Sequence, residues 1–161
     1  MKQLVSPHGA PEPRPLMLEG EALAAERRRA QGLTQVRVSS RERGDLVMLG
    51  CGGFTPLAGF MGEADWRGSC DHMKLAGGLF WPIPITLSVD EAVAERIPPG
   101  GEIALTDPDD GHLLATMQVT ERYRIDKAHE CVRVYRTIDP AHPGVKIVMD
   151  QIAKIDTELE R

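Results

Sequence analysis

Aromatic residues are scarce in this chain. Phe, Trp and Tyr make up 4% of 161 residues, seven side chains in all. With so few, Trp66 and Trp81 are expected to anchor cores, and the aromatic platforms that stack nucleic-acid bases are missing. Only three cysteines occur, Cys51, Cys70 and Cys131, with no C-x-x-C pair. This number and spacing exclude a disulfide framework and a zinc ribbon, and indicate reduced thiols. No apolar run is long enough to span a bilayer. Prolines and charges interrupt the first residues, so no signal-peptide core is legible, and a cytoplasmic location with no membrane association is expected. Basic charge is also short: the net charge is −5, which argues against general nucleic-acid binding.

What is present is ordinary for a globular chain, with 42% apolar and 27% charged residues. Pro7, Pro11, Pro13 and Pro15 predict an extended arm over residues 1–17. Leu18 to Gln31 predicts a helix, with acids leading and Arg27, Arg28 and Arg29 trailing. Thr34 to Val38 alternates and predicts a strand. Ser39 with Glu42 forms a capping-box pattern opening a helix to about Leu49. A short helix is expected over Gly62 to Met73. A strand is expected over Leu79 to Val89, with Pro82 and Pro84 at alternate positions fitting an edge or a bulge. Asp90 caps a helix over Glu91 to Ile97. Glu102 to Thr106 and His112 to Arg124 predict a hairpin about the Asp107-Pro108-Asp109-Asp110-Gly111 turn. Asp126 caps a helix over Lys127 to Tyr135. Thr137 to Lys146 reads as a loop, Val145 to Met149 as a brief apolar run, and Ile152 to Arg161 as an amphipathic tail. The sum is a β-rich α+β domain with short peripheral helices.

Each chemically suggestive feature has a plainer alternative. The Gly-rich stretch at Gly50, Gly52 and Gly53 has no P-loop spacing. The loop carrying Phe54, Leu57, Phe60 and Met61 reads either as ligand-facing or as a loop anchored in the core by its apolar groups, with the second favoured. His142 near Asp139 reads as an acid–base pair, as half a metal site, or more simply as a residue capping a Pro-rich loop. Asp107, Asp109 and Asp110 lack the bidentate Glu of a calcium loop, so a solvated turn is expected. Cys51 reads as a reactive thiol or, preferably, as a small buried residue. Arg27 to Arg29 with Arg37, Arg41 and Arg43 offer a basic patch, or a solvated helix end with neighbouring surface charges.

Several ordered motifs carry a family resemblance. Leu4-Val5-Ser6-Pro7-His8-Gly9, then Gly53-Phe54-Thr55-Pro56-Leu57 and Gly59-Phe60-Met61, then Asp65-Trp66 and Trp81-Pro82-Ile83-Pro84-Ile85-Thr86-Leu87 follow one another in family order. Thr137-Ile138-Asp139-Pro140-Ala141-His142-Pro143-Gly144-Val145 is similar to a "T-D-x-x-H-P-G-V" signature. Together they resemble the N-terminal region of ATP sulfurylase (sulfate adenylyltransferase). The resemblance implies a PUA-like mixed β-barrel over residues 1–151, with 152–161 departing from the family pattern. It implies ATP and Mg²⁺ for the full-length family but no cofactor and no metal in this domain. The family's catalytic "Q-x-R-N-P" segment and its H-x-x-H nucleotide loop do not occur here, so no catalytic residue is carried over. The expected role is structural or accessory, the expected partner is the sulfurylase catalytic domain or a homologous subunit, and homo-oligomerisation is a further option. Gly53, Phe54, Thr55, Pro56, Leu57, Gly59, Phe60, Met61, His142, Pro143, Gly144 and Val145 are the candidates for a domain-contact or ligand-loop surface. A stand-alone RNA-binding or subunit-interaction module is the alternative reading.

Overall fold

The computed structural model describes residues 5–98 and 100–149. The expected tail at 152–161 lies outside the described residues. The chain divides into two compact units. The first comprises the residues up to Met61 together with Ile85–Arg122, and the second comprises Gly62–Pro84 together with the residues from Tyr123 onward. Among the described residues, no helix is long and apolar enough to cross a membrane.

The first unit contains α1 (Gly20–Ala30), β1 (Thr34–Arg37), α2 (Ser40–Gly50), α4 (Glu91–Arg96), β2 (Glu102–Thr106) and β3 (Leu113–Gln118). Its sheet has the order β1-β2-β3. β1 runs parallel to β2, with Val36 opposite Leu105. β2 and β3 form the expected antiparallel hairpin, with a register shift between Leu105 and Thr106. Alternation decides what faces inward. Val36, Val38, Ile103 and Leu105 are buried and join Ile97 and Val119 in one apolar cluster. Burying each large aliphatic side chain contributes roughly 1.5–3 kcal/mol, so this cluster dominates the unit's stability.

Side-chain capping fixes the start of α2. The Ser39 hydroxyl accepts from the Glu42 N–H, and the Glu42 carboxylate accepts from the Ser39 N–H at 2.7 Å, which completes the capping box. Glu42 is 3% exposed. Its second oxygen accepts from the Ser88 N–H at 2.8 Å. The strand expected over Leu79 to Val89 does not form. Pro82 and Pro84 have no N–H to give a ladder, and the remaining groups go elsewhere. The Met61 N–H donates to the Ile85 carbonyl at 2.8 Å, and the Ser88 N–H goes to Glu42. The segment is extended, and Pro84, Ile85 and Thr86 are buried.

The second unit is helical, with α3 (Glu63–His72) and α5 (Lys127–Tyr135). Met73 closes α3 in the left-handed region at φ 53°. The chain then doubles back, and Lys74 bridges Phe80. Asp126 caps α5 as expected, accepting from the His129 N–H at 2.9 Å. Residues 143–149, read above as loop and apolar run, are helical. Val145 and Val148 pack with Cys131.

Candidate functional site

The candidate loop follows α2 in the first unit. Gly52 adopts φ +79°, and a Cβ there would lie 3.0 Å from the Pro15 backbone nitrogen, so glycine is required on both counts. The Pro-rich arm is thereby held against the loop. The Arg14 N–H donates to the Thr55 hydroxyl at 2.8 Å, and that hydroxyl donates to the Gly52 carbonyl at 2.7 Å. The Thr55–Pro56 peptide is cis. Thr55, Leu57 and Met61 are buried. Phe54, Pro56, Gly59 and Phe60 are half-buried and Gly53 is exposed. Phe60 packs against the main apolar cluster. The loop therefore offers backbone and the edges of half-buried side chains to its surroundings.

The second group of candidates lies in the second unit. The Nδ1 atom of His142 accepts from the Gly144 N–H at 3.2 Å and from the Val145 N–H at 3.4 Å. The His142 carbonyl accepts from the Lys146 N–H at 2.9 Å. His142 is thus the N-cap of the 143–149 helix. The capping alternative describes this geometry, because Nδ1 accepts from the first N–H groups of that helix. Asp139 accepts from the Ala141 N–H at 2.9 Å. Tyr135 stacks on His142 with ring centroids 5.0 Å apart. Gly144 sits under the same ring, where a Cβ would come within 2.7 Å. Pro143 is exposed and Val145 is buried. The two candidate groups thus fall in different units.

Other titratable clusters are occupied by structural work. Arg43 contacts Asp107 at 3.2 Å and Asp109 at 2.7 Å across the hairpin turn. The Asp109 N–H holds the Asp107 carboxyl below its ordinary value, despite burial and with help from Arg43. The ligand atoms of Asp107, Asp110 and His112 lie within 4.8 Å of one another. Asp110 accepts from the His112 N–H at 3.0 Å, so this is a self-bonded turn. In the second unit, Asp71 accepts from His129 at 2.9 Å and from Arg133 at 2.9 Å, tying α3 to α5. Beside them the indole N–H of Trp66 donates to Glu130 at 2.8 Å, with both residues buried.

Cys51 corrects an expectation. It is exposed, whereas Cys70 and Cys131 are buried. Its place at the C-cap of α2 puts it where the chain turns at the surface. Burial, then the charges of Glu130 and Asp71, push the Cys70 thiol up to about 12, which makes it inert. A depression of about 350 Å³ is lined by Gln35, Arg37, Ser88, Val89, Asp90 and Val93. Its mixed lining has no convergent set of catalytic groups. The bond from Glu42 to Ser88 was not legible beforehand, because only folding brings these residues together.

Residues 5–155 match the family model described as PUA-like domain. The chain belongs to the PUA-like domain family. It is 58% identical over 151 residues to a sulfate adenylyltransferase of Thiobacillus denitrificans, covering 94% of this chain and 37% of that protein. A sulfate adenylyltransferase of Chlorobaculum tepidum is 56% identical, covering 92% of this chain and 37% of the relative. The chain therefore spans little more than a third of the length of these curated relatives. A solved structure described as a hexameric APS kinase from Thiobacillus denitrificans superposes with a TM-score of 0.66 at 32% identity, covering 76% of this chain and 24% of that one. The α+β, PUA-like assignment agrees with both comparisons.

Proposed function

We propose that this PUA-like domain is the N-terminal accessory domain of a sulfate adenylyltransferase. Its role is to support the region that converts ATP and sulfate to adenosine 5′-phosphosulfate and pyrophosphate, or runs the reverse. The observation that carries this reading is the 58% identity over 94% of this chain to a part of a longer sulfate adenylyltransferase. ATP and Mg²⁺ belong to the remainder of such a protein, whose partner is this domain. Homo-oligomerisation and a cytoplasmic location complete the reading. Positioning an α-phosphate against sulfate requires convergent cations or N–H donors. The loop at Gly53–Met61 and the His142–Val145 turn supply packing and capping instead, which suits surfaces that meet another domain.

The RNA-binding alternative loses support from the ion pairs. Of the six arginines in the presumed basic patch, Arg29 pairs with Glu26 and Glu102, Arg41 with Asp45, and Arg43 with Asp107 and Asp109. A coupled assay of the purified chain, scoring ATP formation from adenosine 5′-phosphosulfate and pyrophosphate, tests the proposal. The expected result is no turnover from a folded sample. Saturable turnover by this chain alone overturns it.

A further inference from the structure

We infer that Leu16, Met17, Leu18, Val47 and Met48 form a docking face for the polypeptide that the longer relatives carry outside the region matched by this chain. The inference rests on the accessory-domain reading and assigns the surface through which it acts. All five residues lie in the first unit. They are exposed by 37%, 66%, 47%, 65% and 39% respectively, a group of large apolar side chains of the kind that often marks a contact surface.

The face is built rather than incidental. The Leu16 N–H donates to the Gly50 carbonyl at 2.9 Å, which fixes the arm along the end of α2. A Cβ at Gly50 would lie 3.2 Å from the Met17 side chain, and one at Gly53 would lie 2.5 Å from the Met48 methyl. Glycines thus let both methionines settle onto backbone at one end while keeping much of their surface in solvent. Methionine is unbranched and polarisable, so it adapts to an irregular apolar counterpart. In the adjoining loop, Leu57 and Met61 are buried and Phe54 and Phe60 are half-buried, so most of the apolar contact surface at this corner is supplied by the arm and α2.

Area selects the occupant. The five side chains expose on the order of 500 Å², a typical size for a functional patch. Doubled across an isologous contact, this reaches only about 1,000 Å², below the roughly 1,600 Å² of a standard stable interface between separate chains. It falls within the roughly 600–1,500 Å² typical of interfaces between domains of one chain. A tethered partner is present at high effective concentration and needs no larger face. The matched region is 37% of the Thiobacillus denitrificans relative, so a large tethered partner exists in such proteins.

The test is a chimera in which this chain replaces the matched region of the Thiobacillus denitrificans relative, compared with the isolated chain. The Met17→Ser/Val47→Ser double variant changes the two most exposed of the five positions. It is expected to leave the melting temperature of the isolated chain within about 1 °C and to lower that of the chimera by about 4 °C or more. Backbone amides of Arg14, of residues 16–18 and of residues 47–53 should gain hydrogen-exchange protection in the chimera. Equal melting temperatures for variant and parent chimera, or unchanged protection, overturn the inference. So does a parent chimera that fails to fold, since the face then does not fit its assigned region. Self-association of the isolated chain that the double variant abolishes also overturns it, in favour of a second copy. Failure of the accessory reading itself would appear separately, as turnover by the isolated chain.

Discussion

The two compact units differ in the chemistry that stabilises each. In the first, a three-stranded sheet buries Val36, Val38, Ile103 and Leu105 in one apolar cluster. Its buried carboxylates, Glu42 and Asp107, accept from backbone N–H groups of Ser39, Ser88 and Asp109. In the second, no strand of the sheet contributes among the described residues, and α3 meets α5 through side-chain pairs, Trp66–Glu130 and Asp71 with His129 and Arg133. Apolar burial is non-directional and scales with area. A buried polar network depends on each partner being present, since an orphaned group bears its full desolvation cost. The first unit should therefore respond most to lost volume, and the second to lost side-chain partners.

The largest effect is expected in the sheet. Ile103→Ala should destabilise by about 2–5 kcal/mol through transfer and cavity terms, read as a fall in urea midpoint. Ile103→Val should recover most of it. A loss below about 1 kcal/mol would show that the sheet core is not the dominant support.

Next in size is Trp66→Phe, which keeps most of the apolar volume but removes the donor to Glu130. Leaving that buried carboxylate unpaired should cost about 1–3 kcal/mol. Adding Glu130→Gln to the variant should return part of the loss, because the neutral amide is cheaper to bury than a charge. No recovery in the double variant would mean that packing, and not the hydrogen bond, is what Trp66 supplies.

His142→Ala removes the N-cap of the 143–149 helix and should cost about 0.5–2 kcal/mol. His142→Asn, which keeps a capping oxygen, should stay close to the parent. Circular dichroism with thermal unfolding would separate them, and equal losses in both variants would argue that the ring's contact with Tyr135 matters more than the cap.

The pH response compares the two units directly and has the smallest amplitude. Burial pulls the Asp71 carboxyl upward, but the His129 hydrogen bond and the charges of His129 and Arg133 outweigh it, leaving the pKa below the ordinary 3.8. Its folded-state value is thus lower than its unfolded one. The stability it contributes is complete above about the ordinary value and is lost as pH falls through the lowered one. Asp71→Asn should flatten that acid limb. In the first unit, the hydrogen bond from Arg29, then that from Thr116, hold Glu26 at about 2. The Glu26 side chain is 23% exposed and that of Asp71 26%, so salt screens both pairs alike, and Glu26→Gln should soften the acid limb at least as much as Asp71→Asn does. A markedly larger effect at Asp71 would show that the second unit depends more on its charges than the first.

Local rules explain why much of the architecture was legible. The Ser39/Glu42 box, the Asp90 cap and the Asp126 cap each act within three residues, so sequence spacing suffices to identify them. The hairpin followed from alternation on either side of a turn built by Asp107 to Gly111. The Leu79–Val89 segment is not a strand although its composition is that of one. Whether a strand forms depends on a neighbour accepting its ladder, and here the available groups bond to Met61 and Glu42.

The sequence by itself determined the family, through ordered motifs from Leu4 to Val145, and the starts of α2, α4 and α5, through side chains that bond to backbone a few residues away. Only the tertiary structure decided that β1 lies parallel to β2 across a long excursion of chain, that Glu42 also holds Ser88, and that Trp66 meets Glu130. It also decided that Cys51 is exposed and that His142 caps a helix. Contacts between residues far apart in the chain are selected by packing the whole chain at once, and no local pattern of residues encodes which distant partner a buried polar atom will find.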